Sequence, residues 1–159
     1  MPRRLSAIGP AAVLTAVLAP TLAGCASPYA VEPAEYAGDA DCARVMLAVP
    51  DELGGLDKRT TTSQATAAWG DDEGVIVARC GVEPPGPTTD ECLAVDTSTA
   101  SQDWIITETD DAWVATSFGR SPALEVTVPK VRADEALGDL LAELSGPASL
   151  APENGLTCS

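Results

Sequence analysis

The stretch Trp69-Gly70-Asp71-Asp72-Glu73-Gly74-Val75-Ile76-Val77-Ala78-Arg79-Cys80-Gly81-Val82 decides the fold. Ala65 to Trp69 reads as a strand, Gly70 to Gly74 as a hairpin turn, and Val75 to Cys80 as the returning strand. Beyond it, Glu83-Pro84-Pro85-Gly86-Pro87 must lie outside any sheet, because proline lacks the ladder donor. The chain is therefore read as strands that meet in tight turns, with a looped excursion ending at Cys92.

Downstream, Cys92 to Asp96, Asp103 to Glu108 and Ala112 to Phe118 are further strands. In Ala123 to Val128, Leu124, Val126 and Val128 alternate with Glu125 and Thr127, the pattern of a half-buried antiparallel strand. After Pro129 the period lengthens to that of a helix, and Leu137, Leu140, Leu141 and Leu144 share one apolar face. Upstream, Lys58 to Thr62 is a candidate edge strand. Cys42, Val45, Met46 and Val49 form one face of a first helix, which Asp39 or Asp41 can cap and which ends by Pro50 and Gly54-Gly55. Helix, strands, helix is an α+β order. We expect an antiparallel sheet of about five to six strands, with an N-terminal and a C-terminal helix packed on one face.

The first 24 residues are a different kind of segment. Arg3 and Arg4 precede an apolar run that ends Leu22-Ala23-Gly24-Cys25, which has the form of an export signal. The ending resembles the bacterial lipobox, in which the cysteine thiol receives a diacylglycerol and becomes the first residue after cleavage. Residues 1–24 are thus expected to be a lipoprotein signal peptide. Residues 25–38, with Pro28, Pro33 and Gly38 and no apolar period, are a lipidated tether, and residues 39–159 a single disulfide-braced domain. The expected place is the cell membrane, lipid-anchored on its extracytoplasmic face.

Composition excludes several chemistries. The 159-residue chain has no histidine, so imidazole bases, Ser-His-Asp and Cys-His catalysis and histidine-ligated zinc are absent. Cleavage before Cys25 leaves seven basic residues against 24 acidic ones, a balance that repels nucleic acid and anionic headgroups. The domain is then expected to stand off the surface on its tether. With Cys25 lipidated, Cys42, Cys80, Cys92 and Cys158 form two disulfides, as an exported chain with an even count implies. Proximity along the chain favours Cys80 with Cys92, a loop of about a dozen residues contributing roughly 3 kcal/mol, and Cys42 with Cys158. Cys42 with Cys80 is the alternative, since the first helix must pack on the sheet.

Cys42 and its apolar helix into Val49-Pro50, Ala68-Trp69-Gly70, Arg79-Cys80-Gly81-Val82, Asp103-Trp104 and Phe118-Gly119-Arg120-Ser121-Pro122-Ala123-Leu124-Glu125-Val126 together resemble the actinobacterial lipoprotein family catalogued as domain of unknown function 3515. The resemblance covers most of Asp41 to Leu144 in matching motif order. Where many members carry proline after Trp-Gly-Asp or Trp-Gly-Glu this chain has Asp72-Glu73, and where Tyr-Gly-Arg is common it has Phe118-Gly119-Arg120. The resemblance implies an envelope location and no particular reaction.

Arg79 and Arg120 are scarce cations in an acidic domain and are the candidate anion-binding residues, because a guanidinium grips carboxylate or phosphate with two donors. Against that, each can pair with an acid, such as Glu125, or cap loop carbonyls. Trp69, Trp104 and Trp113 are either an aromatic platform or core filling. Asp71-Asp72-Glu73 and Asp110-Asp111 lack the spaced oxygens of a calcium loop and read as solvated turns, so no metal and no cofactor is expected. The expected function is a non-enzymatic binding or accessory module, with an envelope protein or an anionic small ligand as partner and no nucleic acid. The alternative is a carboxylate-using enzyme acting on an envelope glycan.

Overall fold

The computed structural model describes residues 27–133 and 136–158, so the leader and Cys25 lie outside the described residues. The elements are helix α1 (Ala40–Ala48), strands β1 (Glu52–Leu53), β2 (Leu56–Arg59), β3 (Thr66–Asp71), β4 (Gly74–Val82), β5 (Cys92–Asp96), β6 (Ser101–Glu108), β7 (Ala112–Phe118) and β8 (Ala123–Pro129), then helices α2 (Lys130–Ala133) and α3 (Leu137–Ala148). The strands form one sheet in the order β1-β2-β3-β4-β8-β7-β6-β5, with every neighbouring pair antiparallel. The α+β class and the antiparallel sheet stand as expected, but the sheet has eight strands rather than five or six. The additional β1–β2 hairpin turns at Gly54 (φ 57°) and Gly55 (φ 76°). Two successive left-handed residues suit a tight two-residue hairpin turn, so Gly54-Gly55 makes a hairpin and does not merely end the helical segment.

Burial follows the strand parity. Trp69, Ile76, Ala78, Cys80, Trp104, Ile106, Ala115, Leu124, Val126 and Val128 form one core with Cys42 and Val45 of α1 and Leu140, Leu141 and Leu144 of α3. The two longer helices touch each other and both touch the sheet. α1 begins where the Asp39 carboxylate accepts the Asp41 amide, so the expected cap is Asp39. On the other sheet face, Val77, Arg79, Val114, Thr116, Glu125 and Thr127 are only half-buried. No helix among the described residues is long and apolar enough to cross a membrane.

The disulfides are Cys42–Cys80 and Cys92–Cys158, with Cα separations of 5.5 and 5.8 Å. The expected Cys80–Cys92 and Cys42–Cys158 pairs are therefore incorrect. Strands β8, β7 and β6 intervene between Cys80 on β4 and Cys92 on β5. Four interstrand spacings amount to about 19 Å, far beyond disulfide reach. The loop after β4 carries the chain across the sheet instead of returning it alongside.

Both flanking segments are bonded to the sheet. Tyr29 N–H donates to Thr60 O at 2.8 Å, Thr62 N–H donates to Tyr29 O at 3.0 Å, and Tyr36 N–H donates to Gly81 O at 2.8 Å. The stretch read as a tether is thus held to the domain from Tyr29 onward. At the other end, Ser121 N–H donates to Pro152 O and Asn154 N–H to Gly119 O, both at 2.9 Å, and Cys158 is tied to Cys92.

Candidate functional site

The two candidate arginines are not brought together. Arg79 lies in mid-strand on β4, where its Cα partner on β8 is Glu125. Its Nε donates to Glu125 Oε1 at 3.1 Å and its Nη2 to the same oxygen, on the half-open face of the sheet. The acid named as a possible partner is the partner, but across a long-range strand pair.

Arg120 follows β7, and its side chain is only 14% exposed. Its Nε donates to Gln102 Oε1 at 3.0 Å, and Nη1 donates to Ser149 O at 3.1 Å and Ala151 O at 3.2 Å. Glu153 stands 3.4 Å away. The guanidinium therefore replaces missing donors for carbonyls beyond the end of α3, where helical bonding has run out. Gln102, itself buried, completes the arrangement by donating through Nε2 to Asp103 O and Phe118 O. Gln102 is a member of this arrangement that no sequence motif marks. Its only signal was a polar side chain at a position sharing parity with Trp104 and Ile106.

Beside Arg120 is a groove of about 240 Å³, bordered by Gln102, Asp103, Arg120, Glu153, Leu156 and Thr157. Its walls mix one cation with two carboxylates, and Asp103 Oδ2 accepts the Cys158 amide at 2.7 Å. The groove is thus built from the same bonds that hold the last residues to the sheet. Elsewhere, Tyr36 has its phenol held above the ordinary range, chiefly by a hydrogen bond to Glu83 and then by the charges of Glu35 and Glu83. That cluster repels anions.

Trp69 and Trp104 are fully buried, with Nε1 donating to Pro50 O at 2.9 Å and to Ser145 Oγ at 3.3 Å. They fill the core and form no platform. Trp113 is half-buried, with the Lys130 ammonium 5.8 Å from its ring centroid. Asp71 and Glu73 belong to a tight turn, in which Asp71 Oδ1 accepts the Glu73 amide at 3.0 Å and also pairs with Arg132. Among the described residues no cluster of three metal-ligating side chains occurs.

These contacts separate the arginines by expected effect. Arg120→Gln leaves the Ser149 and Ala151 carbonyls and the Gln102 amide oxygen short of donors, and is expected to cost about 3 kcal/mol. Arg79→Gln removes a half-exposed pair and is expected to cost about 1 kcal/mol or less. Urea denaturation of the two variants checks this, and equal losses would contradict the assignment of Arg120 to the carbonyls.

A family model described as a protein of unknown function (DUF3515) matches residues 8–149. No curated protein and no solved structure matches the chain.

Proposed function

The chain belongs to the DUF3515 family, whose activity is unassigned, and from that premise we propose that it is a lipid-anchored extracytoplasmic protein, a non-enzymatic binding or accessory module of an actinobacterial cell envelope. One observation carries the reading: the cysteine arithmetic. Cys42 pairs with Cys80 and Cys92 with Cys158, which leaves Cys25 as the odd cysteine of five. It stands directly after an apolar run and closes Leu22-Ala23-Gly24-Cys25. Two disulfides favour an oxidising compartment, and an odd thiol in an exported chain calls for its own chemistry. Thioether attachment of a diacylglycerol supplies that chemistry, and several acyl chains on one residue hold a domain firmly.

The partner we infer is an envelope protein or an anionic small molecule. Arg79 and Arg120 are engaged with Glu125 and with the end of α3, which weakens the case for either as an anion-binding residue. In cells fed a palmitate label, Cys25→Ala is expected to lose the label and accumulate as the unprocessed form. Normal labelling of that variant would sink the anchoring claim.

A further inference from the structure

Tyr29, the first described residue bonded to the sheet, lies four chain steps from Cys25. An extended chain advances at most about 3.6 Å per residue, so a lipid on Cys25 lies within about 14 Å of Tyr29. That span is short compared with the sheet. Tyr29 joins the sheet beside the continuation of β2, forming a bridge with Thr61. Six interstrand spacings, about 29 Å, separate β2 from β5 at the far edge. A domain attached this way has little freedom to tumble above the bilayer.

We propose that the β1–β2 end of the sheet is a membrane seat, apposed to the phosphate headgroups of the bilayer, with the β5 edge facing away. The inference rests on the anchoring of Cys25. Charge supplies the second, independent observation. Arg44, Arg79, Arg120, Lys130 and Arg132 each have an acidic partner within 4.0 Å. Among the described residues Lys58 and Arg59 have none, and both are on β2. Successive side chains of a strand point to opposite faces, so the two cations straddle the edge. The Arg59 guanidinium lies 5.3 Å from the centroid of the Tyr29 ring. An aromatic ring with a polar tip beside a cation suits the boundary between headgroups and acyl chains.

The overall acidity, which predicts a domain standing off the surface, acts weakly from the far edge. At physiological salt the Debye length is about 8 Å, so the carboxylates of the far edge are screened from the bilayer. Near the seat, Asp51 and Asp57 border the same shallow surface as Lys58 and Arg59, and Asp71 and Asp72 share a second surface with Tyr29 and Arg59, so carboxylates flank the two cations. The seat is therefore set by the short span from Cys25 and by the two cations without an acidic partner within 4.0 Å among the described residues, not by the net charge of the edge.

The test uses the full chain in its native membrane, with a photo-crosslinking side chain placed at exposed Thr60 beside the seat or at exposed Ser98 in the β5–β6 turn. Phospholipid adducts are expected at Thr60 and a loss of adducts at Ser98. A flexible Gly/Ser spacer inserted between Ser27 and Pro28 should remove the adducts at Thr60 while leaving palmitate labelling unchanged. Labelled protein that crosslinks equally at both positions, or that ignores the spacer, overturns the seat and leaves the anchor standing. Absence of label from the unaltered chain overturns the anchor and the seat with it.

Discussion

Replacing both Cys42 and Cys80 with alanine is expected to destabilise the domain by about 4 kcal/mol, since the bridge closes a loop with a sequence separation of 38 in the unfolded chain. Both residues are almost fully buried and belong to the main core. The bridge joins α1 to β4, so its removal also loosens the contact by which the first helix covers the sheet. A loss of this size is a large fraction of a domain's total stability. The Cys92→Ala/Cys158→Ala variant removes a bridge of sequence separation 66, and the chain-entropy estimate is again about 4 kcal/mol. The two variants should differ in where they loosen. Hydrogen exchange should rise across α1 and β4 in the first, and around Leu156 and Thr157 in the second. Urea midpoints unchanged in both variants would show that the bridges are incidental to stability.

The sequence was most informative where side-chain period alone decides the element. Leu124, Val126 and Val128 alternate because one face of β8 packs on α3, and Leu137 to Leu144 repeat at helical spacing because they meet that face. The Arg79–Glu125 pair was also visible as a possibility, since both residues sit on the opposite parity of recognised strands. The favoured disulfide pairing failed because spacing along the chain says nothing of strand order, whereas the alternative, Cys42 with Cys80, followed from the need of the first helix to pack on the sheet and is the pair observed. β8 inserts beside β4, and β5 is carried to the far edge. Cys80 faces the helices, whereas Cys92 lies opposite Ile105 on the other face. Alternation places a cysteine on a face but does not say which strands lie between two of them. The stretch from Tyr29 to Ala37 was misread for a different reason. Its proline and glycine content resembles a linker, while its attachment is made by backbone groups of Tyr29 and Tyr36 that any residue type offers. Capping of loop carbonyls was a named possibility for Arg120, but which carbonyls it meets, those of Ser149 and Ala151 beside Gln102 and Glu153, leaves no trace in side-chain pattern.

Gly81→Ala is expected to be comparably severe, costing about 4 kcal/mol or more, and to release the segment before α1. Gly81 has φ 97°, a conformation that costs an L-residue about 1–2 kcal/mol. Space adds a second penalty. A Cβ there would lie 2.4 Å from Tyr36 C, 2.5 Å from Tyr36 O and 2.6 Å from Ala37 N. These are backbone atoms, with no flexible side chain to swing aside, and overpacking of this kind costs about 1–3 kcal/mol and occasionally more. The least costly relaxation moves residues 36 and 37 off β4, which breaks the Tyr36-to-Gly81 hydrogen bond. Gly55→Ala separates the two penalties, because Gly55 has φ 76° but meets no atom within 4 Å. That variant should lose only the conformational share, about 1–2 kcal/mol. Limited proteolysis adds a local readout: cleavage near Tyr36 should accelerate in Gly81→Ala and stay unchanged in Gly55→Ala. Matching stabilities for the two variants would mean that residues 36 and 37 yield freely and do not pin the chain.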